Sequence, residues 1–537
     1  METNLESKDI LHTGPSAPVM SGQSSRDDAT LARLGKKPVL KRNFGFMSIL
    51  GFSCTVLITW EGSLITFLSG LQNGGPSGII YGFLVVWVGT LSVSATISEL
   101  ASMAPTSGGQ YHWISILAPP SSRKFLGYIA GWLTITGWQA LLASGGFVTG
   151  TMIQGLILLT HPDYASVMKN WHGTLLFWAV VILSYVINTA VGSLLARFEG
   201  FVLILHLVGF LAVLLPLVIL SEHGTAVDVF DTFLNLGGWQ TQGLSFCIGI
   251  SGCIFAFLGG DGAIHMSEEI RNAAVVVPRS LMIGLAINGT LGFGMLIATL
   301  YSIGDIDAAL AENPQYPFMA IFLHAVGGST AGAAVMAAII IIMSFSATTG
   351  CLASTSRIYW AFARDRGLPG WAVLRKISPR TNIPRYAVLT STFIAILLSL
   401  VNIGDATAFN GVISISIAGL FGSYLIAASL LLYRRLTGGI YSPKDNDGDA
   451  LTNTMDTYLT WGPWRLPGAF GIANNIFSCI YLLFAFFFSF WPAYREVTPQ
   501  NFNWAVLVFG AVVSFSMLYY AVWARRSYSG PVVEIVS

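Results

Sequence analysis

The stretch Phe257-Leu258-Gly259-Gly260-Asp261-Gly262 interrupts an apolar run in which Asp261 is the only charged residue between Thr232 and Ser267. An earlier run is interrupted at a matching place by Ile58-Thr59-Trp60-Glu61-Gly62-Ser63, where Glu61 is the only charged residue between Asn43 and Ser98. A carboxylate at mid-membrane depth costs about 2.5–3.5 kcal/mol even on insertion scales, so an acid held there implies a task. Glycine lets the chain leave the helix and lets a ligand approach the backbone closely. An unwound helix bares N–H and C=O groups that lipid cannot satisfy, so each break must face a polar cavity inside the protein. Gly-broken apolar segments in corresponding halves of a chain point to the binding site of a secondary transporter.

The surroundings of these breaks fix the class. The chain has 537 residues, 54% hydrophobic and 10% charged, with mean hydropathy +0.67. Soluble domains carry about 25% charge, so a large soluble enzyme is excluded. About 20 apolar residues cross the hydrocarbon core. That length predicts twelve spans, over 44–71, 78–103, 125–157, 174–192, 199–221, 241–268, 280–304, 329–356, 386–403, 406–433, 468–492 and 502–524. Tyr316 to Val326 is apolar but too short to cross and is expected to lie along the surface. The breaks fall in spans one and six. The expected architecture is therefore an all-α polytopic membrane protein with a five-plus-five inverted repeat, broken helices 1 and 6, and two C-terminal helices. Repeat one covers 44–221 and repeat two 241–433, with additional helices over 468–524, all within a transporter domain spanning 44–526. A disordered cytoplasmic tail is expected over 1–43 and a short cytoplasmic tail over 527–537.

Cytoplasmic loops carry an excess of Lys and Arg. With the N-terminus inside and one crossing per span, 25 of the 27 Lys and Arg fall on the cytoplasmic side, and only Lys169 and Arg495 fall outside. The acids Asp228, Asp231, Asp305, Asp307 and Glu312 also fall outside. The five cysteines sit in apolar runs without metal-ligand spacing, so neither a disulfide framework nor a metal site is expected. The sequence carries no nucleophile elbow or phosphate loop, and no enzyme activity or cofactor is expected.

The site chemistry follows from the breaks. Trp60 and Phe257 flank the two acids, and aromatic faces attract ammonium groups by about 0.5–2 kcal/mol. This favours a solute with a cationic nitrogen. Thr59, Trp60, Glu61, Gly62, Phe257, Gly259, Gly260, Asp261 and Gly262 are the candidate substrate-binding residues. Glu61, Asp261 and His265, which follows Asp261 by one helical turn, are proton-coupling candidates. Glu268, Glu269 and Arg357, with Arg364 and Asp365 nearby, are gate candidates, although a solvated basic loop explains the same residues. Gln139, Ser344, Thr348, Asn410 and Ser414 are weaker candidates to line a path. GxxxG patterns at Gly127/Gly131 and Gly146/Gly150 read as packing faces. Asn288-Gly289-Thr290 matches a glycosylation signal but lies inside span seven.

Three stretches resemble the amino acid–polyamine–organocation superfamily. They are Ser98 to Trp113 (SELASMAPTSGGQYHW), Phe255 to Asn272 running on to Val277-Pro278-Arg279, and Ser356 to Pro369 (SRIYWAFARDRGLP). Within it the chain is similar to the fungal amino-acid/choline transporter branch, which includes permeases for γ-aminobutyrate (GABA) and choline. The resemblance covers roughly Arg42 to Arg526. It implies the five-plus-five fold, a fungal membrane and uptake driven by an ion gradient, commonly of protons. In the superfamily the first break offers small residues to a substrate carboxylate. Thr59-Trp60-Glu61-Gly62 replaces that pattern with a ring and an acid, which favours choline, an amine, or an amino acid bound while Glu61 is neutral.

The expected function is a multi-pass permease importing a small nitrogenous solute, such as an amino acid, GABA, choline or a related amine, with a co-transported proton by alternating access. The alternatives are a permease-like nutrient sensor, or a carrier of a polyamine or secondary-metabolite intermediate. The expected setting is the plasma membrane bilayer, with no nucleic-acid partner. Lys8, Lys36, Lys37 and Lys41 are candidates to accept ubiquitin from a ligase acting on the tail.

Overall fold

The computed structural model describes residues 22–190, 195–304, 315–404, 410–443, 451–499 and 501–534. Lys8, Asp305, Asp307, Glu312 and the side chain of Asn410 lie outside the described residues. The described chain is almost wholly helical; its one paired sheet joins Ile440–Tyr441 to Leu459–Thr460.

Among the described residues, eleven helices are long and apolar enough to cross a membrane. The expected twelfth, span six, fails on length because its leading helix, Gln242–Phe255, has only 14 residues. The chain then turns through the glycines into a single helical turn, Gly262–His265. Gly259 takes φ +96°, a conformation that favours glycine, so the sequence breaks this helix where its glycines fall.

Span one breaks earlier than expected. Its first helix, Phe46–Leu57, ends at Ile58 in the left-handed region (φ 38°, ψ 48°), and a second helix runs over Thr59–Ile65. A left-handed non-glycine residue costs roughly 1–2 kcal/mol. The surroundings offset that cost: the Thr59 N–H, freed by the break, donates to Asn288 Oδ1 at 3.2 Å. Gly62 does not open the helix. It lies inside the second piece, and a Cβ there would meet Ala256 Cα and Cβ at 3.2 Å. Its role is close approach between spans one and six.

The remaining long helices are Gly75–Met103, Arg123–Thr160, Asn170–Ala190, Leu195–Ile219, Ala273–Tyr301, Thr330–Arg364, Arg385–Ser399, Asn410–Leu436, Gly468–Phe488 and Ala505–Tyr519. They supply spans two to five and seven to twelve. Span three is central and packs along spans eight and ten. Both GxxxG patterns are buried packing faces: Gly131 meets Phe362, and Gly146 and Gly150 meet Phe177. Span eight extends two turns beyond its expected end, so Arg357 and Arg364 are buried helix residues and not loop residues.

Two further expectations are corrected. The segment Pro317–Ala325 is a helix with most of its residues buried against spans three, five and eight, because its apolar face has no other place to go. The N-terminal tail carries a helix over Gly22–Arg33; Leu31 within it and Leu34 and Lys36 behind it are buried. Burial also removes Lys36 from the exposed ubiquitin-acceptor candidates; Lys37 and Lys41 are exposed.

Candidate substrate cavity and its gates

A narrow, partly open cavity lies at the break of span six. Phe257, Leu258, Gly259, Gly260 and Asp261 form one wall, and Leu57, the last residue before the span-one break, forms another. Span two adds Thr90 and Ser94, span seven Leu281 and Leu285, and span ten Phe421 and Tyr424. The lining is mostly apolar and aromatic with one carboxylate, the usual character of a small-molecule site.

Asp261 is buried, and its two oxygens differ. Oδ2 accepts from Gln110 Nε2 at 3.0 Å and from Trp138 Nε1 at 3.3 Å. Oδ1 has no hydrogen-bond partner among the described residues. Tyr424 leans on the same carboxylate. His265 Nε2 is 3.7 Å from Oδ2, beyond hydrogen-bond range, while its Nδ1 meets the Ser107 carbonyl oxygen at 3.0 Å. A carboxylate held by neutral donors on one oxygen and bare on the other can accept one more donor or a cation.

The sequence candidates divide into two groups. Phe257, Gly259, Gly260 and Asp261 line the cavity. Gly262 sits one residue beyond it, its carbonyl oxygen accepting from Ser354 Oγ at 3.2 Å. Thr59, Trp60 and Glu61 turn the other way. Thr59 meets Asn288 of span seven. Trp60 packs on Phe210 and His206 of span five, and Glu61 Oε1 lies 2.8 Å from His206 Nδ1. The two break acids therefore face different parts of the protein. Among the weaker candidates, Gln139 donates to the Ser391 carbonyl, Ser344 and Thr348 meet Thr149, and Ser414 accepts from Asn503. All of these join neighbouring elements.

Below the cavity, on the side of the chain termini, the gate candidates form buried ion pairs. Arg364 holds Glu268 through two bonds, Nη1 to Oε2 at 2.9 Å and Nη2 to Oε1 at 2.8 Å. Arg357 Nε donates to Glu269 Oε1 at 2.8 Å. Asp365 accepts from Lys36 Nζ, Tyr111 Oη and the Val532 N–H, so both tails reach this cluster. On the opposite side, Phe83 and Phe257 meet in a tilted pair at 4.9 Å between centroids. Phe257 lines the central cavity and Phe83 a smaller one with Ser63, Thr66 and Cys253. The ring pair divides the two.

Sequence reading missed Tyr424, Phe421, Gln110 and His206. Gln110 lay within a quoted motif, and His206 is the only titratable residue between Glu199 and Ser221. An ionisable residue inside a span signals function by default. Phe421 and Tyr424 carried no such mark.

The pattern of the family described as "Amino acid permease" matches residues 44–512. The chain belongs to this permease family. It is 29% identical over 492 residues to the "Choline transporter" of Saccharomyces cerevisiae, covering 91% of the permease and 83% of that relative. It is 27% identical to "Amino-acid permease 2" of Neurospora crassa, covering 97% of the chain and 91% of the relative. "Amino-acid permease BAT1" of Arabidopsis thaliana is also 27% identical, with 97% and 98% covered. These relatives carry the names of transporters, and the permease is an integral membrane transporter, not an enzyme.

Proposed function

We propose that this permease imports a small nitrogenous solute, an amino acid or an amine such as choline or GABA, by proton-coupled alternating access through the cavity at Asp261. The observation that carries this reading is the bare Asp261 Oδ1, buried beside a cavity walled by Phe257, Phe421 and Tyr424. An ammonium group would find a counter-charge at Oδ1 and aromatic faces around it. The similarity to a choline transporter and to amino-acid permeases supports the same solute class.

The excess of Lys and Arg on the tail side supports cytoplasmic termini, and import places the protein in the plasma membrane. The tail-side ion pairs then form an inner gate and the Phe83–Phe257 pair an outer one. Alternating access requires the two to open in turn.

Radiolabelled choline, GABA, putrescine, lysine and alanine, offered to cells carrying the wild type or Asp261→Asn, test the reading. The wild type accumulates at least one of them. Asp261→Asn loses that uptake while its level at the membrane stays unchanged. Undiminished uptake by the variant removes Asp261 from the site.

A further inference from the structure

We infer that Glu61 and His206 form the proton-binding site of this permease, set apart from the solute cavity on the opposite face of span one. The inference rests on the proton-coupled reading above and assigns that coupling to one buried pair.

The geometry is specific. Glu61 Oε1 lies 2.8 Å from His206 Nδ1, and the Trp60 indole N–H donates to the same nitrogen at 3.2 Å. All three side chains are fully buried. Glu61 Oε2 and His206 Nε2 have no hydrogen-bond partner among the described residues. The other titratable groups near the pair are Cys54 on span one and Glu199 on span five. Glu199 is engaged by Thr55 Oγ1 at 2.6 Å, and a Cβ on Gly51 would meet its backbone. From span seven the facing group is the neutral Asn288, which bonds Thr59.

One ring nitrogen cannot serve both neighbours in every protonation state. A bare Nδ1 offers a single in-plane lone pair, which a protonated Glu61 at 2.8 Å and the Trp60 N–H at 3.2 Å share as one bifurcated acceptor, so both observed contacts are attractive when the carboxyl carries a proton. With Glu61 ionised, a bare Nδ1 would face a carboxylate at 2.8 Å, lone pair against lone pair. Nδ1 must then bear the hydrogen and donate it to Glu61, and the Trp60 N–H loses its acceptor. Loading therefore changes what holds Trp60, two residues beyond the left-handed Ile58. The unloaded pair also carries one net negative charge in a buried site and the loaded pair none. Leu57, immediately before the break, lines the solute cavity. A proton arriving at the pair thus bears on the backbone joint that shapes the cavity, with no contact between proton site and solute.

Two measurements test this. In proteoliposomes with the membrane potential clamped, a gradient of about one pH unit supports at most roughly tenfold accumulation by one-proton symport. Glu61→Gln should lose that accumulation and flatten the pH profile, yet exchange internal for external labelled solute at a rate near the wild type. His206→Gln should shift the pH profile. Independently of any solute, infrared titration of the purified protein should show a carboxylic C=O band that vanishes in Glu61→Gln, moves in His206→Gln and persists in Glu199→Gln. Wild-type accumulation by Glu61→Gln, or an unchanged infrared titration, overturns the inference. Loss of both exchange and accumulation in Glu61→Gln assigns the residue to solute binding and overturns it as well. A wild type that moves none of the solutes offered refutes the solute reading alone, and the infrared result still decides the proton site.

Discussion

Lys36, from the N-terminal tail, places its Nζ 2.9 Å from Asp365 Oδ1 at the end of span eight, and both side chains are buried. Burial lowers the Lys36 pKa, against the opposing pull of Asp365. Burial works to raise Asp365, but Lys36 and Arg364 outweigh it and hold the carboxyl below the ordinary range. Removing one partner strands the other. Lys36→Ala should lower stability by about 3–5 kcal/mol, whereas Lys36→Met combined with Asp365→Asn should cost much less. Thermal unfolding of the purified protein in detergent checks the contrast.

The same pair sets an acid limb. A depressed carboxyl contributes stability that is complete above its unfolded value, about 3.9, and is lost as pH falls through its lower folded value. For Lys36 the unfolded chain also binds the proton more readily, so stability again rises with pH, here toward the alkaline side. The wild type should thus lose stability below about pH 4 more steeply than Asp365→Asn, as read from melting temperature against pH.

Gly259 and Gly260 are neighbours in sequence but should differ on substitution. Gly259 has φ +96°, and a Cβ there would meet Val56 Cγ1 at 2.9 Å. Gly260 has no such φ, and its nearest contact is the end of the Leu57 side chain at 3.3 Å. Gly259→Ala should cost about 1–3 kcal/mol and depress uptake sharply. Gly260→Ala should be milder on both counts. Parallel melting and uptake measurements distinguish them.

Phe83→Ala should connect the two cavities that its ring now helps to divide. The truncation costs about 3–5 kcal/mol of core packing. The functional signature is access: Cys253, which lines the smaller cavity, should react faster with a membrane-impermeant thiol reagent applied from the side opposite the chain termini. Unchanged labelling would show that the ring pair does not close the path.

The breaks show how far residues alone carry the reading. At span six three glycines announced the break and one of them, Gly259, makes it, since its positive φ is a local property of glycine. At span one Gly62 suggested the wrong turn. The chain breaks at Ile58, a β-branched residue whose left-handed backbone is tolerated because Asn288, 229 positions beyond Thr59, receives the freed Thr59 N–H. The cavity residues Phe421 and Tyr424 were illegible for a related reason: an aromatic in an apolar span looks the same whether it faces lipid, core or solute.

Sequence by itself determined the membrane class, the positions of nearly all spans, the tail-side excess of positive charge and the two acids that lipid would not tolerate unaided. These depend on hydropathy and charge, which are additive along the chain. Only the tertiary structure decided that Asp261 faces a cavity while Glu61 turns to His206, and that both tails reach Asp365 beside the buried ion pairs. Which way a helix points a side chain depends on the rotation set by its packing against other helices, and no local pattern encodes that.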